Sequence, residues 1–229
     1  MKLRREEISR KGLHLVFGAL IPAVILYAPA CVEFLGLPAG GADWVWPAGI
    51  FAVSTLLLGG AEFLRFRARW ARDWYRTMFG SFMREEEAKR TTGATYISAS
   101  ALICVLVLRN HLNVAALVLW MFIWGDAVAA LVGQSIGRIR IAGKSLEGSL
   151  SCFLLCLALV FGLFPFIPGM MDRSGGGMGV VPGVLVALMV TVQELFPLKW
   201  KTVTVNDNLT VPVVTGAAIV WLFPLFGGM

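Results

Sequence analysis

Residues 112–133 read LNVAALVLWMFIWGDAVAALVG, an apolar run that carries a single acid, Asp126, well inside it. A helix needs roughly 20 apolar residues to cross the hydrocarbon core of a bilayer. A carboxylate at the centre of such a helix costs about 2.5–3.5 kcal/mol on insertion scales, so a chain seldom keeps one idle. Gly125, Ala129 and Gly133 recur every four residues around it. That small face lets a second helix pack closely and hold Asp126 in place.

Six further apolar stretches flank this one, at roughly 12–29, 44–64, 94–109, 149–169, 179–197 and 209–227. The 229-residue chain is 58% hydrophobic and 15% charged, where soluble domains run nearer half and a quarter. The expected fold is therefore all-α: a polytopic integral membrane protein of about seven transmembrane helices. Residues 1–229 read as one domain. The basic stretch Met1 to Lys11 feeds an apolar run with no convincing small-residue cleavage site, which reads as an anchor and not a removed signal. Cys104, Cys152 and Cys156 lie inside apolar runs. Cys152 and Cys156 share a helix face, but no further ligand pattern accompanies them, so they read as small buried hydrophobes.

A net charge of +6 raises nucleic acid as a partner, and the placement of the charges argues against it. Of the 20 Lys and Arg, only Arg109 and Arg173 fall in the connections on one side. The rest sit at the N-terminus or in the connections following the second, fourth and sixth spans. Cytoplasmic loops carry the Lys and Arg excess, so the N-terminus and these connections are expected in the cytoplasm. In residues 63–82, Phe63, Phe66, Trp70, Trp74, Met78 and Phe82 recur every three or four residues with arginines between them. That pattern predicts a basic amphipathic helix at about 63–83, lying in the membrane interface as an anchor or as a gate for a lipid.

On this topology Glu62, Asp126 and Glu194 all fall near the cytoplasmic ends of their spans. Asp207 opens the last span, His14 stands near the start of the first, Thr91 and Thr92 open the third, and Glu147 precedes the fifth. Glu62 reads equally as helix-end polarity or as a functional acid. Several carboxylates at one depth repel unless a cation joins them. Mg²⁺ suits them, since it takes oxygen ligands and usually binds one or two carboxylates with substrate phosphates. Arg138, Arg140 and Lys144 add positive charge, and Gly133, Gly137 and Gly143 allow backbone N–H groups close to an anion. Gly143-Lys144-Ser145 is not a P-loop: the glycine needed six residues before the lysine is Arg138.

These segments resemble the membrane-bound dolichol, phytol and CTP-dependent diacylglycerol kinases. Arg10-Lys11-Gly12-Leu13-His14 with Gly18 is similar to the family's RK-x-x-H opening, and Thr92-Gly93-Ala94-Thr95-Tyr96 to its TGA-x-Y segment. Gly125-Asp126 through Gly133, then Gly137, resembles its GD-rich signature. Lys144-Ser145-Leu146-Glu147-Gly148-Ser149 resembles its KSLEGS segment. Glu194 with Asp207-Asn208-Leu209-Thr210-Val211-Pro212 resembles its closing E…DNLT-x-P pattern. Asn206 stands where that closing motif often has another Asp. The chain is also much shorter than eukaryotic dolichol kinases, which favours a shorter prenol over dolichol.

The resemblance implies phosphoryl transfer, commonly from CTP, to a lipid hydroxyl at the cytoplasmic face of the cell membrane; the residues leave ATP open. Phytol, farnesol, geranylgeraniol or a polyprenol would be the acceptor. Asp126 and Asp207 are expected to hold Mg²⁺ or orient the hydroxyl, and Lys144 to clamp donor phosphates with Arg138 or Arg140. Glu147 and Glu194 are further candidates for base or metal ligand. His14 would touch phosphate, carry a proton, or simply pack. Asn208 would cap the last helix or contact nucleotide, and Pro212 fits a first helical turn. Lys11, Thr92, Gly93, Gly133, Gly137 and Ser145 complete the expected binding set. A homo-oligomer is compatible with the sequence. The rivals are a CTP-dependent diacylglycerol kinase, a cytidylyltransferase acting on a lipid phosphate, and a transporter, since intramembrane acids also mark ion paths.

Overall fold

A computed structural model describes residues 5–37, 41–80, 90–172, 177–200 and 203–222. Phe82, the run Glu85 to Glu87, Arg173 and Lys201 lie outside the described residues. Each apolar stretch forms a helix: α1 (Arg5–Phe34), α2 (Val45–Arg67), α4 (Gly93–Val107), α5 (Leu112–Ser135), α6 (Leu146–Ala158), α7 (Val180–Leu195) and α8 (Asp207–Leu222). Helix α6 runs on through a π turn, Leu159–Leu163, and a 3-10 turn, Phe164–Phe166. Three elements are long and apolar enough to cross a membrane: Val45–Arg67, Leu112–Ser135 and Leu146–Phe166. The other apolar helices, Gly18–Phe34, Gly93–Val107, Val180–Leu195 and Asp207–Leu222, are shorter.

The bundle is organised around α5, which packs against α1, α4, α6, α7 and α8. An apolar helix without a polar face belongs in a protein interior or a membrane. Met121, Phe122 and Ile123 are all 0% exposed. Helix α2 is also apolar, though less so, and is peripheral, with Leu56 75% and Leu57 69% exposed. The stripe of small residues on α5 has the expected use. A Cβ on Gly125 would stand 2.7 Å from Cys152 Sγ, and one on Gly133 would collide with Ser145 Oγ. From the other side, Gly148 of α6 meets the Ala129 carbonyl. Close backbone approach of this kind supplies the van der Waals contact that joins helices where lipid competes for apolar surface. Cys104, Cys152 and Cys156 are buried and free.

Two features depart from the sequence reading. The expected amphipathic helix is split at Ala68, whose backbone is extended (φ −115°, ψ 132°). Phe63 and Phe66 end α2, and the amphipathic segment proper is α3 (Arg69–Phe79). The all-α expectation is also interrupted by two small hairpins, β1 (Arg140–Ile141) with β2 (Lys144–Ser145), and β3 (Lys199–Trp200) with β4 (Val203–Thr204). In the first, Ala142 (φ 52°) and Gly143 (φ 89°) both take left-handed backbone conformations. Two such residues make the tight turn that matches strand twist. Ala142 carries a Cβ there, a strain of roughly 1–2 kcal/mol.

Candidate functional site

Lys11 of α1, Asp126 of α5, Lys144 of β2, Glu194 of α7 and Asp207 of α8 face one cavity of about 330 Å³. Helix ends explain the convergence. Asp207 is the first residue of α8, Glu194 the penultimate of α7, and Lys144 belongs to the hairpin joining α5 to α6. Lys11 Nζ donates to Asp126 Oδ2 at 2.5 Å. Lys144 Nζ donates to Glu194 Oε1 at 2.6 Å and reaches Asp207 Oδ2 at 3.3 Å. Burial alone would lower the Lys144 pKa, but the Glu194 and Asp207 carboxylates outweigh it and raise it above its ordinary value. Lys144 is thus held as an ammonium. Three carboxylates, two ammonium groups and the Arg140 guanidinium surround the space.

The sequence-derived site residues divide. Gly133, Arg140 and Ser145 line the cavity with the five charged groups. Ser145 also caps α6, its Oγ accepting from the Gly148 N–H at 3.0 Å. Gly137 does not line it. It sits where a Cβ would strike Ser145 and the Gly133 carbonyl, so its part is packing. Glu147 does not line it either. Its Oε1 accepts from the backbone N–H groups of Arg138 (2.9 Å) and Ile139 (3.2 Å), pinning the loop that carries the hairpin, and the Arg138 side chain is exposed outside the cavity. The His14 backbone is in α1, and its side chain lies outside the described residues.

Thr92 and Gly93 are also away from the cavity, and Thr92 is tied to Glu62. Glu62 Oε1 accepts from the Thr92 N–H (2.9 Å) and Oγ1 (2.7 Å), while Oε2 takes Arg65 at 2.6 Å. Asn208 Nδ2 donates to the Gly93 carbonyl at 3.3 Å. The cap of α8 is Asn206, not Asn208: its Oδ1 accepts from the Asn208 N–H at 3.0 Å. Pro212 lies in the second turn of α8, not the first, and removes the N–H that would bond the Asn208 carbonyl. Gln134 lines the cavity unforeseen, and Gly148 and Ser149, named above only within the KSLEGS-like segment, line it too. Gln134 lies eight residues after Asp126, the spacing of one helix face, so periodicity around Asp126 would have found it.

The donor set is oxygen only, as a hard cation such as Mg²⁺ requires. Glu194 Oε2 is buried and has no hydrogen-bond partner among the described residues, a lone pair suited to such a ligand. No three His, Cys, Asp or Glu side chains stand as a ready metal cluster among the described residues. Ammonium groups occupy the carboxylates instead. No family model, no curated protein and no solved structure matches this chain.

Proposed function

We propose that the chain crosses the membrane seven times, with the cavity at its cytoplasmic end, and that it phosphorylates a membrane lipid alcohol. The observation that carries this reading is the cavity: two lysines and three carboxylates from five separate elements converge on one polar space in an otherwise apolar bundle. Phosphoryl transfer asks for positioned charge more than for covalent chemistry by the protein. Lys144 and Arg140 would hold donor phosphates. Asp126 takes the proton of the lipid hydroxyl as its oxygen bonds to the γ-phosphorus. The bond to the bridging oxygen breaks, and the nucleoside diphosphate leaves. Glu194 and Asp207 would hold Mg²⁺, which supplies neutralisation of phosphate charge. CTP is the donor favoured by the resemblance, ATP its competitor, and a prenol the favoured acceptor. The lysine and arginine asymmetry supports the orientation.

Purified protein incubated with γ-labelled CTP or ATP, Mg²⁺ and a panel of prenols and diacylglycerol tests the reaction. A product heavier than the alcohol by one phosphate is expected, lost on chelation of the metal. A nucleotidyl adduct, or solute flux in liposomes without any product, would sink the reading in favour of its rivals. Labelling of a cysteine at position 144 from outside intact cells would refute the orientation.

A further inference from the structure

Helix α3 has two apolar faces. Ala71 and Tyr75 are buried against the protein, while Trp70 (69% exposed), Trp74 (53%) and Met78 (55%), spaced four apart, are not. Arg69, Arg72 and Arg76 fill the opposite arc, with Asp73 as the one acid of the helix. An exposed Trp and Met row beside an arginine arc matches a bilayer surface, with the row among the acyl boundary and the guanidinium groups among headgroups. The charge excess selects anionic headgroups, each arginine near such a surface contributing roughly fivefold in affinity.

The buried face of α3 is not an inert support. Arg65, at the end of α2 and 4% exposed, lies with its guanidinium carbon 4.7 Å from the Tyr75 ring centroid and 4.6 Å from that of Phe66. The same guanidinium binds Glu62 and donates to the Arg90 carbonyl at 2.6 Å. Glu62 holds Thr92, and the next residue, Gly93, accepts from Asn208, neighbour of Asp207 in the cavity. A continuous set of contacts, a cation–π contact at Tyr75 and then hydrogen bonds through Glu62, Thr92 and Gly93, therefore runs from α3 to the first turn of α8.

We infer that α3 is a binding surface for anionic phospholipid headgroups, and that Arg65 is a positioning residue through which its seating on the bilayer steadies the Thr92–Gly93 and Asn208 joint beside the cavity. An arginine suits this place. Its planar fork meets a carboxylate, a carbonyl and two aromatic faces at once, which a lysine cannot.

Backbone hydrogen exchange of residues 90–95 and 206–210 tests it, with one protein copy per nanodisc of phosphatidylcholine alone or of equimolar phosphatidylcholine and phosphatidylglycerol. The readout is structural, so it holds or fails whatever reaction the cavity runs. In the wild type, anionic lipid should slow exchange in both segments by about fivefold or more, the lower range of coupling between two sites. Arg65→Met should abolish that response. Because Arg65→Met leaves Glu62 buried without its cation and can fail to fold, Tyr75→Leu and Tyr75→Phe form the second arm: the ring-bearing Phe keeps the response and Leu loses it. Exchange indifferent to phosphatidylglycerol, or a full response in folded Arg65→Met or in Tyr75→Leu, overturns the proposal. So does protection that appears only when two copies share a disc, which would make α3 a protein contact.

Discussion

Glu62 and Glu194 are nearly identical by simple measures. Each lies near the end of an apolar helix, 4% and 3% exposed, with a cation 2.6 Å away. Their surroundings differ. Both oxygens of Glu62 are engaged, by an arginine, a backbone N–H and a hydroxyl. Glu194 spends one oxygen on a lysine that it shares with Asp207, and its other oxygen faces no donor among the described residues. The first acid is part of a closed joint between α2 and α4. The second lines a cavity and has a coordination position to offer. An acid in an apolar helix signals cost; an unused carboxylate oxygen on a residue that lines a cavity, as Glu194 does and Glu62 and Glu147 do not, marks a ligand position.

Asp126→Asn is the strongest way to break this contrast. It preserves shape and removes the charge facing Lys11, so turnover should fall by about 10²-fold or more, the scale of a positioned acid–base group. Its melting temperature should fall as well, because Lys11, 4% exposed, loses its carboxylate, so turnover is compared on protein that remains folded at the assay temperature. Kinase assays paired with thermal melts decide it, and near-wild-type turnover would remove Asp126 from the mechanism. On the other side, Glu62→Gln strands Arg65 and should cost about 3 kcal/mol of stability. Glu194→Gln should cost clearly less, since Lys144 keeps Asp207. Equal losses of stability in the two Gln variants would dissolve the comparison.

The helices were legible because apolar length is a strong signal, and each of the seven apolar stretches contains a helix among the described residues. Asp126, Glu194, Asp207 and the Lys144 loop were expected together because the charge asymmetry would set alternate helix ends at one depth, and they line one cavity with Lys11. What escaped were features with no periodicity. A two-residue strand carries no alternation, so β1 and β2 were invisible although they present Lys144. Glu147 and Thr92 are chemically as fit for catalysis as Ser145. Only geometry shows that one pins a loop and the other holds Glu62. The extended residue Ala68 is neither Gly nor Pro, so nothing marked the break between α2 and α3.

A weaker test concerns Lys144, whose carboxylate partners hold its pKa above the ordinary 10.5 against the pull of burial. A raised pKa in the folded state means that the pairing contributes in full below the unfolded value and fades as pH climbs through the folded one. The melting-temperature gap between wild type and Lys144→Met should stay constant through neutral pH and narrow only above about 10.5. A gap that closes near neutrality would mean that the ammonium is not held between Glu194 and Asp207.

The smallest expected effect is at Asn206, and it bears on whether the start of α8 belongs to the joint or to the cavity. The side chain of Asn206 accepts from the Asn208 N–H, and its carbonyl accepts from Leu209 and Thr210, which is the pattern of an N-cap. It does not line the cavity, whereas its neighbour Asp207 does. Asn and Asp cap about equally well, while Ala loses about 1 kcal/mol. Asn206→Ala should therefore lower the melting temperature by about 2–4 °C, the shift for that loss in a chain of this size. Asn206→Asp should leave stability unchanged. It should also leave turnover and the Mg²⁺ concentration for half activity unchanged, because its oxygen is spent on the helix. If Asp at this position lowers the metal requirement, the added carboxylate reaches the cavity and the first turn of α8 supplies two ligands, not one. If Ala melts with the wild type, the cap contributes nothing, and the order at the start of α8 rests on other contacts, among them the Asn208 bond to Gly93.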